Sequence, residues 1–216
     1  LFHQINEAMT AYHDYLIVLS PSESVTNSIK QLKNSSARVI GEYEGHYAKA
    51  HITIQYWPRK RSVWIDPMIP KLERDLQNLS PIILDLNGFD FFDHQYNPTI
   101  YAKINSTPLT EVWFKQLRKY FSRQDFIPHI TIAKSIPNKA FNKLWPYFQK
   151  LEWNEQIKID RLTILRRDTI GHDKSYKKIK EIPFNSRYDF YTFANSKHKA
   201  PASVEKQSAS PQFSLF

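Results

Sequence analysis

The sequence predicts an α+β fold made of two lobes related by a pseudo-twofold axis, and three observations predict it. Short apolar runs rich in β-branched residues alternate with amphipathic stretches of helical period. The order strand-helix-strand-helix-strand occurs twice along the chain. The same tetrapeptide, His-Ile-Thr-Ile, stands in the second strand of each half, at residues 51–54 and 129–132. One domain is expected over residues 1–190, with lobes at roughly 15–92 and 98–184.

Taken in order, "YLIVLSP" from Tyr15 reads as a buried strand, and "SESVTNSIKQLKN" as a helix capped by Ser22. "AKAHITIQYW" is a strand and "DPMIPKLERDLQNL" a helix, with Asp66 as N-cap and Pro67 at the first helical position. "PIILDLNGFDFF" completes the first half as a strand. In the second half "TIYAKI" (99–104) is a strand. "TPLTEVWFKQLRKYF" is a helix whose apolar stripe runs through Leu109, Val112, Trp113, Leu117 and Tyr120. "PHITIAKSI" is a strand, "NKAFNKLWPYF" a helix, and the strands in "QIKIDRLTILRR" and "YKKIKEIPF" close the core.

Composition narrows the function. A chain of 216 residues can bury a substantial core, and 41% hydrophobic residues supply one. With no cysteine, disulfides, thiolate nucleophiles and cysteine-ligated zinc are excluded, and a reducing, cytoplasmic setting is expected. No apolar run reaches membrane-spanning length and no signal-peptide pattern stands at the N-terminus, so no membrane association is expected. The first residue is Leu1, which leaves the true start open. Thirty Lys and Arg against 21 Asp and Glu leave a net charge of +9. That excess favours a polyanionic partner, nucleic acid first, although it also serves plain solubility.

The paired tetrapeptide carries the chemistry. Side chains alternate along a strand, so His51 and Thr53 share one face while Ile52 and Ile54 take the other; His129 and Thr131 repeat the pattern. Under a pseudo-twofold axis the two strands can lie side by side and present two His and two Thr to a central cleft. Histidine titrates near ~6.5, so one ring can be neutral and its partner protonated near neutral pH. A neutral ring can take a proton from a water or hydroxyl attacking phosphorus, and a protonated ring can give one to the leaving oxygen. The threonine hydroxyls can donate to non-bridging phosphate oxygens. Packing alone has no reason to place a polar His-Thr pair twice at equivalent positions.

Two H-x-T-hydrophobic motifs in a duplicated α+β chain of this size resemble the 2H phosphoesterase superfamily, in particular its bacterial 2′-5′ RNA ligase-like group. The resemblance covers about Tyr15 to Phe184. It implies a bilobal fold around a cleft and metal-free hydrolysis of 2′,3′-cyclic phosphates or related nucleotide phosphodiesters, with reversible 2′-5′ RNA joining in some members. Carried over, His51 and His129 are the acid–base pair and Thr53 and Thr131 hold the phosphate. Which histidine is acid and which is base stays open at this point.

Further positions are weaker. Lys134 follows the second motif where relatives often carry a basic residue, yet ideal alternation from His129 places it on the opposite face. Tyr56 and Trp57 follow the first motif and could stack on a base, core packing being the commoner use of at least one. Tyr176 resembles an aromatic that some relatives place beside the nucleotide. His46 and His51 have no carboxylate pair at metal-ligand spacing, so no metal and no cofactor are expected. Four glycines and no Gly-rich loop exclude a triphosphate cradle.

From about residue 191 the chain becomes rich in Ser, Ala, Lys and Pro, a flexible-tail composition, and it ends in Gln212-Phe213-Ser214-Leu215-Phe216. This pentapeptide resembles the bacterial sliding-clamp-binding peptide, with Phe213 departing from the usual aliphatic second position. The resemblance implies a bacterial protein tethered to the clamp through an apolar pocket. The expectation is therefore a monomeric phosphoesterase. The alternatives are 2′-5′ RNA ligation on the same residues, or a non-catalytic nucleic-acid-binding accessory to the clamp.

Overall fold

Strands joined by short connections pair antiparallel, and that rule shapes the chain. The computed structural model describes residues 12–121, 127–170 and 175–185. The strands are β1 (Tyr12–Leu19), β2 (Ile52–Arg61), β3 (Ile82–Phe92), β4 (Thr99–Ile104), β5 (His129–Ala133), β6 (Asn154–Ile159), β7 (Arg161–Asp168) and β8 (Lys177–Pro183). They form two four-stranded sheets, one in the order β2-β1-β7-β8 and the other β5-β4-β3-β6, with every pairing antiparallel. The two orders correspond position by position, β2 with β5 at the edge and β1 with β4 beside it. This is the pseudo-twofold relation that the repeated order predicts.

The sheets do not follow the expected lobe boundaries at 15–92 and 98–184. β3 belongs by sequence to the first half, yet it pairs with β4 and β6 in the second sheet. The short connection 93–98, where the boundary is expected, is the loop of a hairpin. In return β7 and β8 join β1 in the first sheet, and the chain crosses between sheets at Asp160, the single residue between β6 and β7. The halves are exchanged rather than consecutive.

Helices α1 (Glu23–Ile40), α2 (Ile69–Leu76), α3 (Pro108–Arg118) and α4 (Asn138–Lys150) supply the apolar side of one continuous core. Ser22 caps α1, its hydroxyl accepting from the Val25 N–H at 3.5 Å. Two expectations are corrected here. Asp66 is no N-cap: a helical turn at Ser62–Ile65 and a 3₁₀ turn at Asp66–Met68 precede α2, and Asp66 has helical dihedrals. Its carboxylate instead accepts from the Tyr15 hydroxyl at 3.0 Å and pairs with Arg166. In α3 the buried stripe is Thr110, Trp113, Phe114 and Leu117, while Val112 and Tyr120 face solvent. Trp113 sets this rotation, because its indole N–H must reach the Ser80 carbonyl, 2.8 Å away, to be satisfied when buried.

The motif isoleucines behave as expected. Ile52, Ile54, Ile130 and Ile132 are all fully buried against the helices, each stabilising the strand by roughly 1.5–3 kcal/mol. No helix among the described residues is long and apolar enough to cross a membrane. The tail from 191, with Gln212–Phe216, lies outside the described residues.

Candidate active site

The edge strands β2 and β5 lie against one another, which brings the two tetrapeptides together. Their isoleucines point into the core, so His51, Thr53, His129 and Thr131, all partly exposed, are left on the opposite face. Both strands then depart from regular pairing at the same place. In β2, Thr53 faces Val18 but Gln55 faces Ile17, leaving Ile54 as an extra residue. In β5, Thr131 faces Tyr101 but Ala133 faces Ile100, leaving Ile132 extra. Each is a β-bulge, and a bulge shifts the alternation by one residue. Gln55 and Ala133 accordingly turn inward and are buried. Tyr56 and Lys134, each three residues after a motif threonine, come onto the face of the histidines.

Lys134 is thus in phase with His129 and Thr131, contrary to ideal alternation. Its ammonium pairs with Glu44 on the loop between α1 and β2. Trp57 turns to the core side and packs near Phe121, with ring centroids 6.3 Å apart.

Both histidines are held alike. The Nδ1 of His51 lies 2.7 Å from the carbonyl of Lys49, and the Nδ1 of His129 lies 2.7 Å from the carbonyl of Ile127. A carbonyl only accepts, so in each ring Nδ1–H is the donor, which fixes the ring's orientation and makes Nε2 the nitrogen that loses or gains a proton. His129 also packs edge-on to Phe92 at 4.9 Å and near Tyr101 at 5.1 Å.

The loop that delivers His51 is fastened by a residue that the motifs do not mark. Lys33 on α1 is buried, and its ammonium donates to the carbonyls of Gly45 (2.9 Å) and Ala48 (2.8 Å). Burial draws its pKa down to about 8. The pKa of His51 lies below the ordinary histidine value. Burial of the ring is the main cause, and the nearby charges of Lys33 and His129 add to it against the raising effect of the Lys49 carbonyl. His51 is therefore neutral at neutral pH.

A second group forms farther along the same face of the first sheet. Asp14, buried on β1, accepts from the Arg59 N–H (2.9 Å) and the Thr169 hydroxyl (3.0 Å) through Oδ1, and from Arg167 Nε (3.0 Å) and Nη2 (2.9 Å) through Oδ2. Burial pushes its carboxyl up, but these four bonds outweigh it and hold the pKa below the usual carboxylate value. So anchored, the Arg167 guanidinium lies over the Tyr176 ring, 4.8 Å from its centroid, and Tyr56 interacts with both. Tyr56 and Tyr176, far apart in sequence, are brought together; Arg167 and Asp14 escape sequence reasoning. Their one sequence signal is an acidic residue in β1 and an arginine in β7, which means nothing until the strands pair.

The fold and the duplicated His-Thr strands define a class, and the comparisons agree. The chain belongs to the 2′-5′ RNA ligase superfamily, whose family model matches residues 20–171 and so spans both motifs. A protein of Shouchella clausii, provisionally named a phosphoesterase, is 28% identical over 160 residues, covering 71% of this chain and 89% of that one. One of Geobacillus thermodenitrificans with the same provisional name is 26% identical over 157 residues, covering 70% and 86%. Among solved structures, TT0787 of Thermus thermophilus superposes with a TM-score of 0.59 at 11% identity, covering 81% of this chain and all of that one. Escherichia coli LigT complexed with ATP gives 0.58 at 12% identity, covering 81% and 98%. These likenesses are of fold.

Proposed function

We propose that the chain hydrolyses 2′,3′-cyclic phosphates or related phosphodiesters of RNA or nucleotides through its two histidines. The observation that carries the reading is the pair of rings on abutting strands, each held through Nδ1 by a backbone carbonyl at the same place in its motif. His51, neutral by its setting, is the base: its Nε2 takes a proton from the attacking water as the water oxygen bonds to phosphorus. His129 is the acid, and its Nε2 proton passes to the ribose oxygen as the P–O bond breaks. Exchange with solvent resets both rings. Thr53 and Thr131 donate to the non-bridging oxygens, and Lys134 can turn from Glu44 toward the same charge. Tyr56 and Tyr176 flank the base. With the 5′-hydroxyl of a second RNA attacking the cyclic phosphate in place of water, and the ribose 3′-oxygen taking the proton as its bond to phosphorus breaks, the same two transfers constitute 2′-5′ joining.

The test is hydrolysis of a short RNA ending in a 2′,3′-cyclic phosphate by the folded protein in EDTA. Turnover supports the reading, and its absence removes it. The pH dependence has a defined sign. A base that must be neutral makes kcat/KM rise with pH through its own pKa, so the acidic limb should fall below ~6.5. Lys33→Met should move that limb upward, while the burial of His51 still holds it under ~6.5. A limb above the ordinary histidine value in wild type would assign the base elsewhere.

From the sequence Gln212-Phe213-Ser214-Leu215-Phe216 we further propose that this peptide docks on a bacterial sliding clamp. Deleting residues 212–216 should abolish clamp binding in a pull-down with purified clamp and leave hydrolysis intact. Unchanged binding would dispose of the tether.

A further inference from the structure

The face that carries His51 continues past Tyr56, and its composition changes in a regular way. Pairing of β2, β1 and β7 sets the rows. Thr53, Val18 and Thr163 form the first, and Tyr56, Leu16 and Leu165 the second. Asp14 and Arg167 form the third, with Tyr176 beside Arg167. A second irregularity in β2 lies between the pairs Tyr15–Trp57 and His13–Lys60, where Arg59 has a φ of 50°. This bulge brings Arg61 opposite Tyr12, on the face of Asp14, and the Arg61 guanidinium lies over the Tyr12 ring at 5.5 Å. Successive rows are two residues apart, so the motif threonine and the Tyr12–Arg61 pair are separated by roughly 20 Å of strand.

From this arrangement we infer that the site takes the end of a single-stranded oligonucleotide rather than a lone nucleotide. The Tyr56–Arg167–Tyr176 group receives the terminal base, and Tyr12 with Arg61 receives an upstream nucleotide. The inference rests on the proposed hydrolysis. Three features support an RNA strand as the occupant. Aromatic rings alternate with guanidinium groups, the pattern that takes stacked bases and backbone phosphates. Tyr12 and Tyr56 are exposed, at 41% and 42%, and Arg59, Lys60 and Arg61 are all exposed beside them. The track is continuous with the histidines. A mononucleotide seated on the two threonines reaches Tyr56 but not Tyr12.

The experiment compares cyclic-phosphate-ended RNAs of one, two, three and six nucleotides that share the same terminal base. In wild type, kcat/KM should rise at least about tenfold from one to three nucleotides, a gain of about 1.4 kcal/mol in transition-state binding, and then level off. In Tyr12→Ala and Arg61→Ala the ratio of hexamer to monomer should fall toward one, with circular dichroism confirming the fold. Equal rates on monomer and hexamer in wild type would overturn the track, as would variants that keep the full ratio. Fluorescence anisotropy of a 5′-labelled hexamer ending in a 3′-phosphate reads the track without turnover. Binding that either variant weakens about fivefold or more sustains the track even if no RNA is hydrolysed. Binding unaffected by both refutes it.

Discussion

Replacing either motif histidine by alanine is expected to lower turnover of a cyclic-phosphate-ended RNA by ~10²–10⁴, the usual worth of one positioned proton transfer. The two effects should be comparable, because the rings are held by equivalent carbonyl bonds and each serves one end of the same in-line displacement. The double variant should fall short of the product of the single losses, since groups acting in one transition state are not additive. Stability should hardly move: each substitution removes a partly exposed ring and one hydrogen bond, about 1 kcal/mol. Single-turnover kinetics with thermal unfolding on the same samples separates the two effects. A variant that keeps more than about a tenth of wild-type turnover would take that histidine out of the mechanism.

Much of this site is legible without the fold, for a specific reason. A His-Thr pair among buried isoleucines is a polar face imposed on a core strand, and its recurrence at an equivalent position is information that spacing alone preserves. Alternation then assigns His51, Thr53, His129 and Thr131 to one face, as observed. It fails beyond them, because alternation counts residues and a bulge adds one. Ile54 and Ile132 look like ordinary strand residues, and nothing in their side chains marks them as the extra member of a pair. Hence alternation puts Lys134 opposite its observed face. The exchange of β3 against β7 and β8 is hidden for another reason. Strand order depends on which loops are short enough to make hairpins, and the duplication suggests consecutive lobes. Lys33 and Arg167 are invisible because each matters through a partner distant in sequence, the 45–48 carbonyls in one case and Asp14 in the other.

Asp14→Ala is the substitution from which the largest loss of stability is expected, about 2–4 kcal/mol. The carboxylate is buried and accepts from the Arg59 backbone, the Thr169 hydroxyl and two nitrogens of Arg167, so its removal strands donors on three elements at once. Arg167 is partly exposed and recovers some hydration, which keeps the figure below the upper range for a fully buried pair. For a chain of this length that corresponds to a fall in Tm of roughly 5–15 °C. Asp14→Asn should lose less, its amide oxygen still accepting from one or two of the donors. The pH dependence follows from the depressed pKa. The contribution of Asp14 is fully present above the unfolded carboxylate value near ~3.9, and it is lost as pH falls through the lower folded value. The gap in stability between wild type and Asp14→Ala should thus be constant near neutrality and close on acidification below about 3.9. The same variant frees the guanidinium that lies over Tyr176, so KM for RNA should rise while kcat, which depends on the histidines, changes little. A fall in kcat with KM unchanged would mean that Asp14 positions the strands carrying the catalytic rings and leaves the base platform unaffected.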